Sequence, residues 1–261
     1  MRLLSGRRGL ILGVANERSI AWGIARRLSD QGAELSFTYQ GEALGNRVRP
    51  LAGRIGSNLV MPADVLDDAA LDSVFERLGS AWGTLDFVVH AIAYAEREDL
   101  ADGIVNTSRS NFRTCLEVSC FSLIDITRRA SALMPSGGSI ITLTFQGSRS
   151  VMPNYNVMGV AKAALEGAVR YLANELGPRG IRVNAISPGP MRTLSGAAIG
   201  GARRIFRTAE SNAPLRSNAS LADIGGAAVF LVSDLGAGTT GEIVHVDGGY
   251  HVLGMPQPEN L

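Results

Sequence analysis

The stretch Gly9-Leu-Ile-Leu-Gly-Val-Ala-Asn-Glu-Arg-Ser-Ile-Ala-Trp-Gly23 opens as a strand and closes as a helix. Gly9–Val14 is a nearly continuous apolar run, as a strand buried on both faces of a sheet requires. Gly13 ends it, a short polar loop follows, and Ser19 is placed to N-cap a helix beginning at Ile20. A helix start offers unpaired N–H groups and partial positive charge, which suits a pyrophosphate. In this reading Gly13 lets phosphates approach the backbone, and Gly23 lets the helix pack on the sheet. The spacing is not G-x-G-x-x-G, so the stretch alone reads equally as a strand–turn–helix without a ligand.

The same alternation continues along the chain. Further strands are expected at Glu34–Tyr39, Asn58–Met61, Leu85–His90, Ser139–Thr144, Ile181–Ser187 and Glu242–Val246. Between them run helical stripes: Ile20, Ile24 and Leu28; then Leu71, Val74, Phe75 and Leu78. The longest comprises Ala161, Ala164, Leu165, Ala168, Val169, Leu172, Ala173 and Leu176, whose small residues suit close packing within or between subunits. Repeated strand–helix–strand order implies right-handed crossovers and an α/β, Rossmann-type, doubly wound parallel sheet with helices on both faces. Such sheets bind ligands at the carboxyl ends of their strands. Residues 1–261 read as a single domain. Within it Met191–Asn218, rich in Gly, Ala, Ser and Arg, reads as a mobile substrate-binding segment or simply as a long surface connection.

Composition narrows the function. Net charge is +1, which gives no electrostatic footprint for nucleic acid or anionic lipid. No apolar run approaches the ~18 residues of a membrane helix, and the opening residues lack a secretory cleavage pattern. Cys115 and Cys120 would lie on different faces of a helix; neither a disulfide framework nor a zinc site follows, and a reducing cytoplasm is expected. No metal-ligand spacing appears, and the histidines His90, His245 and His251 are scattered along the sequence. The acids Glu96, Glu98 and Asp99 read as a solvated loop cluster. Every cation but one is arginine; the exception, Lys162, reads either as a site where a compact ammonium serves and a guanidinium does not, or as a single leftover surface lysine.

Chemistry-bearing residues fall at the strand ends. Gln40, after the second strand, can hydrogen-bond a ribose hydroxyl, and the next arginine comes only at Arg47, which favours NADH over NADPH. Asp64 either accepts from an adenine amino group or N-caps a helix beginning near Asp67. In Tyr155-Asn-Val-Met-Gly-Val-Ala-Lys162 the phenol and the amine share one helix face, and a lysine leans back toward the helix start. A nearby ammonium is expected to lower the phenol's pKa and prepare it to serve a developing oxyanion. Asn184-Ala-Ile-Ser-Pro-Gly-Pro-Met-Arg-Thr193 makes a rigid turn whose backbone and Thr193 could hold a carboxamide.

These motifs, together with Thr38-Tyr39-Gln40 and Gly241-Glu-Ile-Val-His-Val-Asp-Gly-Gly249, closely resemble the bacterial NADH-dependent enoyl-acyl carrier protein reductases. These are a divergent branch of the short-chain dehydrogenase/reductases. The resemblance runs from Leu4 to about Gly254, and its specific part is the Tyr-x6-Lys spacing; ordinary members of the superfamily use Tyr-x3-Lys, which would need lysine at Gly159. It implies a homotetramer of Rossmann-type subunits with a seven-stranded parallel sheet. By matching position, Gly13, Ser19, Ile20, Gln40, Asp64, Val65, Ile92, Lys162, Met191, Arg192, Thr193, Leu194 and Ser195 contact NADH. Ala95 lines the acyl site with Tyr94, Leu100, Ile199 and Phe206 around it, and Tyr155 and Lys162 are catalytic. One departure is Phe145, where many members carry a second tyrosine ten residues before the catalytic one; the mycobacterial type also has Phe.

The activity so implied is reduction of a trans-2-enoyl thioester carried on acyl carrier protein, the last step of the fatty-acid elongation cycle. Arg203, Arg204 and Arg207 either face that acidic carrier or form a solvated helix face. Two rival readings stay open. One is a ketoacyl or alcohol dehydrogenase, with Thr142 supplying a hydroxyl near the tyrosine. The other is a non-catalytic dinucleotide sensor.

Overall fold

A computed structural model describes residues 2–197 and 200–260. All seven expected strands are present: β1 (Arg8–Leu12), β2 (Glu34–Tyr39), β3 (Val60–Pro62), β4 (Phe87–His90), β5 (Gly138–Leu143), β6 (Ile181–Pro188) and β7 (Ile243–Val246). They form one parallel sheet in the order β3-β2-β1-β4-β5-β6-β7. The order reverses between β1 and β4, where Leu12 pairs with His90. The crevice of a doubly wound sheet opens beyond that point.

Alternation along the strands builds two cores. Ile11, Phe37, Val89, Ile141 and Ile186 face one side, under the helices α1 (Ile20–Asp30), α2 (Gly41–Arg54) and, late in the chain, Leu221–Val232. Leu10, Leu12, Val88, Ile140 and Val183 face the other, under α3 (Asp68–Trp82) and later helices. Each such apolar side chain withdrawn from water contributes roughly 1.5–3 kcal/mol, which fixes the register of every strand.

After β4 come the short α4 (Arg97–Ala101) and a long helical stretch in three parts: α5 (Arg109–Leu116), a π-turn at Glu117–Phe121, and α6 (Ser122–Ala132). Buried Arg129 of α6 binds Asp72 (2.7 Å) and Asp68 (3.1 Å) of α3, tying the two helices together. The long helix α7 (Asn156–Leu176) follows β5 and buries its expected stripe, with Leu165 and Val169 fully enclosed. Residues 191–218 hold α8 (Leu194–Ala197) and α9 (Ala202–Asn212); α10 (Leu221–Val232) then packs on α1. Gly23 serves that last contact. A Cβ there would lie 2.7 Å from Leu221, so the glycine admits α10 and not, as the sequence suggested, the sheet.

Candidate active site

The β1 end is shaped by close approach. Gly13 has φ +96°, and a Cβ on it would meet the Ala91 carbonyl at 2.0 Å, so β1 and β4 can leave the sheet side by side only with glycine here. Ser19 stands at the N-cap position of α1 but does not cap it. Its Oγ instead accepts from the N–H groups of Ala15 and Asn16, both at 3.0 Å, folding the loop into a tight bowl. The N–H groups of Trp22 and Gly23 bond back to Ser19 O, which leaves those of Ile20 and Ala21 without an intrahelical acceptor. The loop and helix start fit a pyrophosphate by donor chemistry.

At the adenosine end, Gln40 Nε2 donates to Asp64 Oδ2 at 2.8 Å. Two residues singled out separately in the sequence are thus one unit. Asp64 is not a helix cap; its other oxygen accepts from Leu66 N–H, and Asp67 caps α3 through Ala70 N–H. A cavity of about 400 Å³ lies alongside, lined by Gly41, Ala63, Asp64 and Arg77 among others. Val65 and Ile92 are half-buried against the core beneath.

Tyr155 and Lys162 are both buried, at the start and in the second turn of α7. Tyr155 meets the Phe145 ring edge-on at 5.0 Å between centroids. Its cluster contains Leu100, Cys115, Val157, Met158 and Ala161, with Ala95, Phe145 and Met152 packed against it. Of the residues expected to line the acyl site, Leu100 and Ala95 are therefore beside the tyrosine, whereas Tyr94 and Phe206 are not part of this cluster. Phe206 of α9 carries Arg192 over its ring at 4.4 Å, linking the turn after β6 to α9. Tyr94 is exposed, Leu194 is exposed, Met191 packs on the core, and Thr193 Oγ1 accepts from Gly196 N–H. Ile199 and the side chain of Ser195 lie outside the described residues.

Electrostatics corrects one expectation. Burial pushes the Tyr155 phenol well above its ordinary value; no neighbouring charge pulls it down. The Lys162 ammonium is directed at Leu143 O, to which it donates at 2.7 Å. Burial lowers this lysine to about 8, while the Glu166 carboxylate one turn on opposes the fall. Glu166, itself buried, accepts from Thr144 (2.8 Å), Ser148 (2.5 Å) and Arg149 (3.4 Å), securing the loop that carries Gly147.

Gly147 and Gly159 explain the lysine's place. A Cβ on Gly159 would lie 2.7 Å from the Gly147 carbonyl, and one on Gly147 would lie 2.4 Å from the Tyr155 ring. A lysine at position 159 would enter occupied space.

Several residues around the site escaped sequence reading. Ser119, in the π-turn, both accepts from Tyr94 N–H (3.0 Å) and donates to Tyr94 O (3.1 Å), and Asn111 Oδ1 accepts from Glu96 N–H (2.9 Å). Together they fix the loop bearing Ala95. His90, at the end of β4, is fully buried. Ser122 donates to Val118 O (2.6 Å) and so accepts from His90 Nε2 (2.9 Å), which leaves Nδ1 to accept from Thr142 Oγ1 (2.8 Å). Burial, with Lys162's charge adding, drops His90 to about 3 and keeps it neutral. The only available signal was a histidine ending an apolar strand. His245 and His251, distant from His90, stack at 3.9 Å, with His251 on Asp247; they are not scattered in space. Cys115 and Cys120 are free thiols in different clusters, as their spacing implied.

A parallel sheet with a switch-point crevice, closed by a helix carrying a buried tyrosine and lysine, defines an oxidoreductase of the short-chain dehydrogenase/reductase class. Residues 13–251 match the family model described as enoyl-(acyl carrier protein) reductase. The chain is 54% identical over 259 residues to enoyl-[acyl-carrier-protein] reductase [NADH] 2 of Rhizobium meliloti, covering 99% of this chain and 97% of that protein. Its fold is similar to that of the enoyl-(acyl-carrier-protein) reductase of Anaplasma phagocytophilum in complex with NAD, with TM-score 0.95 and 51% identity over 98% of this chain and 97% of that one. It is likewise similar to the Bacillus cereus enoyl-acyl carrier protein reductase with NADP+ and an indole naphthyridinone, with TM-score 0.96 and 51% identity over 98% of this chain and all of that one. The chain belongs to the enoyl-acyl carrier protein reductase family.

Proposed function

We propose that this enzyme reduces the trans-2 double bond of enoyl-acyl carrier protein thioesters with NADH, through Tyr155 and Lys162. Family membership supports the reaction and the cofactor. The site reading is carried by one observation: Tyr155 is buried in the same apolar cluster as Leu100, with Ala95 against it.

A nicotinamide held at this site would supply the hydride for the β-carbon. As negative charge develops on the thioester oxygen, the Tyr155 O–H donates to it. The phenol's raised pKa suits this role, because the group keeps its proton at neutral pH and acts as a donor. Lys162 orients the nicotinamide ribose and adds positive charge, while its bond to Leu143 O fixes the head group. Protonation of the α-carbon completes the saturated product. Gly13, Ser19, Ile20, Gln40, Asp64, Val65, Ile92 and the turn from Met191 to Ser195 hold the dinucleotide. Residues 191–218 cover the acyl chain.

Arg203, Arg204 and Arg207, of which all three are exposed on α9, face the acidic carrier protein. The reading includes a homotetramer in the cytoplasm, without nucleic acid or membrane partners. Exposed Phe112, Phe121, Ile124, Val160 and Tyr171 on α5–α7 and the turn between support a subunit interface on that side. Sedimentation velocity tests the assembly.

The dehydrogenase rival is disfavoured. Thr142 is buried and spends its hydroxyl on His90, and position 159 has no room for a lysine. The sensor rival predicts NADH binding without turnover. One assay separates all three: NADH and NADPH oxidation with trans-2-enoyl and 3-ketoacyl thioesters, on wild type and Tyr155→Phe. Enoyl reduction with NADH, lost in Tyr155→Phe, is expected; full activity in that variant refutes the site.

A further inference from the structure

Tyr155 stands between two asparagines in a backbone conformation that side chains rarely adopt. Asn154 has φ 58° and Asn156 has φ 39°. Among the described non-glycine residues only Arg216 shares that region. Asparagine tolerates it better than most residues, yet such strain persists only where the surroundings enforce it. Here the twist sends two amides to opposite walls of the acyl site. Asn154 Nδ2 donates to Gly200 O at 2.7 Å, just before α9 and Phe206. Asn156 Nδ2 donates to Leu100 O at 2.7 Å, in the short helix that follows Tyr94 and Ala95. Gly200 is matched to the first contact, because a Cβ there would lie 2.9 Å from Asn154 Nδ2.

We infer that Asn154 and Asn156 are positioning residues for the reduction, a two-armed clamp that sets the lid segment and the Tyr94–Leu100 loop against the tyrosine between them. This rests on the reading of Tyr155 given above. Neither amide needs to touch substrate; each acts through a backbone carbonyl. A long acyl chain must lie between the two walls, whereas a crotonyl group is too short to span them. The clamp therefore governs the binding of long chains more than the chemical step.

Glycine variants isolate the amide, since glycine accepts positive φ without strain. For Asn154→Gly and Asn156→Gly, KM for a dodecenoyl thioester is expected to rise about fivefold, the worth of one hydrogen bond. KM for crotonyl thioester, the NADH dissociation constant and the melting temperature are expected to stay near wild type. Asn154→Asp and Asn156→Asp keep the size and the backbone tolerance but oppose a carboxylate to a carbonyl, so their KM should rise at least as far. Wild-type KM for the long substrate in both glycine variants overturns the clamp. So does a parallel loss of stability, NADH binding and activity on both substrates, which marks a purely structural role. Tyr155→Phe, run alongside, separates the two levels. If it is inactive while the asparagine variants behave as wild type, only the clamp fails; if it is fully active, the site reading fails with it.

Discussion

Replacing Lys162 with methionine should make the cofactor-free protein more stable while destroying its function. The lysine is 5% exposed, and burial lowers it from 10.5 to about 8. Keeping it charged at neutral pH therefore costs the fold about 3 kcal/mol relative to the unfolded chain. Methionine fills similar space without charge. It also forfeits the donor to Leu143 O, a loss of about 1 kcal/mol. The net expectation is a gain of about 2 kcal/mol below pH 8, or a rise in Tm of about 4–8 °C for a chain of this size. The pH dependence carries the sign. The folded pKa lies below the unfolded one, so unfolding takes up a proton between pH 8 and 10.5, and wild-type stability from this group rises across that window. The advantage of Lys162→Met must then shrink as pH climbs, vanish before the upper limit and reverse to a deficit of about 1 kcal/mol beyond it, where only the lost hydrogen bond remains. Thermal or urea unfolding at several pH values, with NADH binding and enoyl reduction measured beside it, checks every part. A variant less stable than wild type at pH 7, by an amount constant to pH 10, would falsify the buried-ammonium argument.

Three further outcomes test the geometry. Gly159→Ala should destabilise by about 1–3 kcal/mol, against the usual gain for replacing a helix glycine, because its Cβ meets the Gly147 carbonyl; chemical denaturation reads the sign. Ser119→Ala removes both bonds to Tyr94, so KM for enoyl thioesters should rise about fivefold or more while NADH affinity, measured by fluorescence titration, holds. Gln40→Arg should shift the ratio of kcat/KM from NADH toward NADPH by at least about tenfold, since a guanidinium there can meet a 2′-phosphate; an unchanged ratio would move the adenosine ribose away from Gln40.

The legible part of this molecule was the part set by periodicity. Strands such as Phe87–His90 are buried on both faces and read as nearly continuous apolar runs, while Glu34–Tyr39 alternates apolar and polar residues, so all seven were visible within a few residues. Tyr155 and Lys162 were visible because spacing alone puts them on one helix face. The supporting contacts were not, because each joins residues far apart in sequence. Ser119 reaches Tyr94 only because a π-turn at Glu117–Phe121 interrupts an otherwise regular helix, and nothing in its local pattern announces the interruption. Ser19 shows the opposite failure. The capping pattern was genuine, but two loop N–H groups compete for the same oxygen and win.

The phenol's charge state was misjudged for the same reason, and the correction alters the chemistry. Sequence spacing gives the separation of Tyr155 and Lys162 along the axis but not what surrounds them. The Gly147 loop, secured by Glu166, presses on the tyrosine ring and fills the space beside position 159. An amine one turn from the phenol is thereby excluded, and the next place on the same face is a turn deeper, where Leu143 O awaits it. From there the ammonium leaves the phenol protonated in the resting site. On the mechanism proposed above, the same crowding that accommodates the Tyr-x6-Lys spacing keeps the phenol protonated, so that it would serve a developing oxyanion as a hydrogen-bond donor and not as a phenolate base.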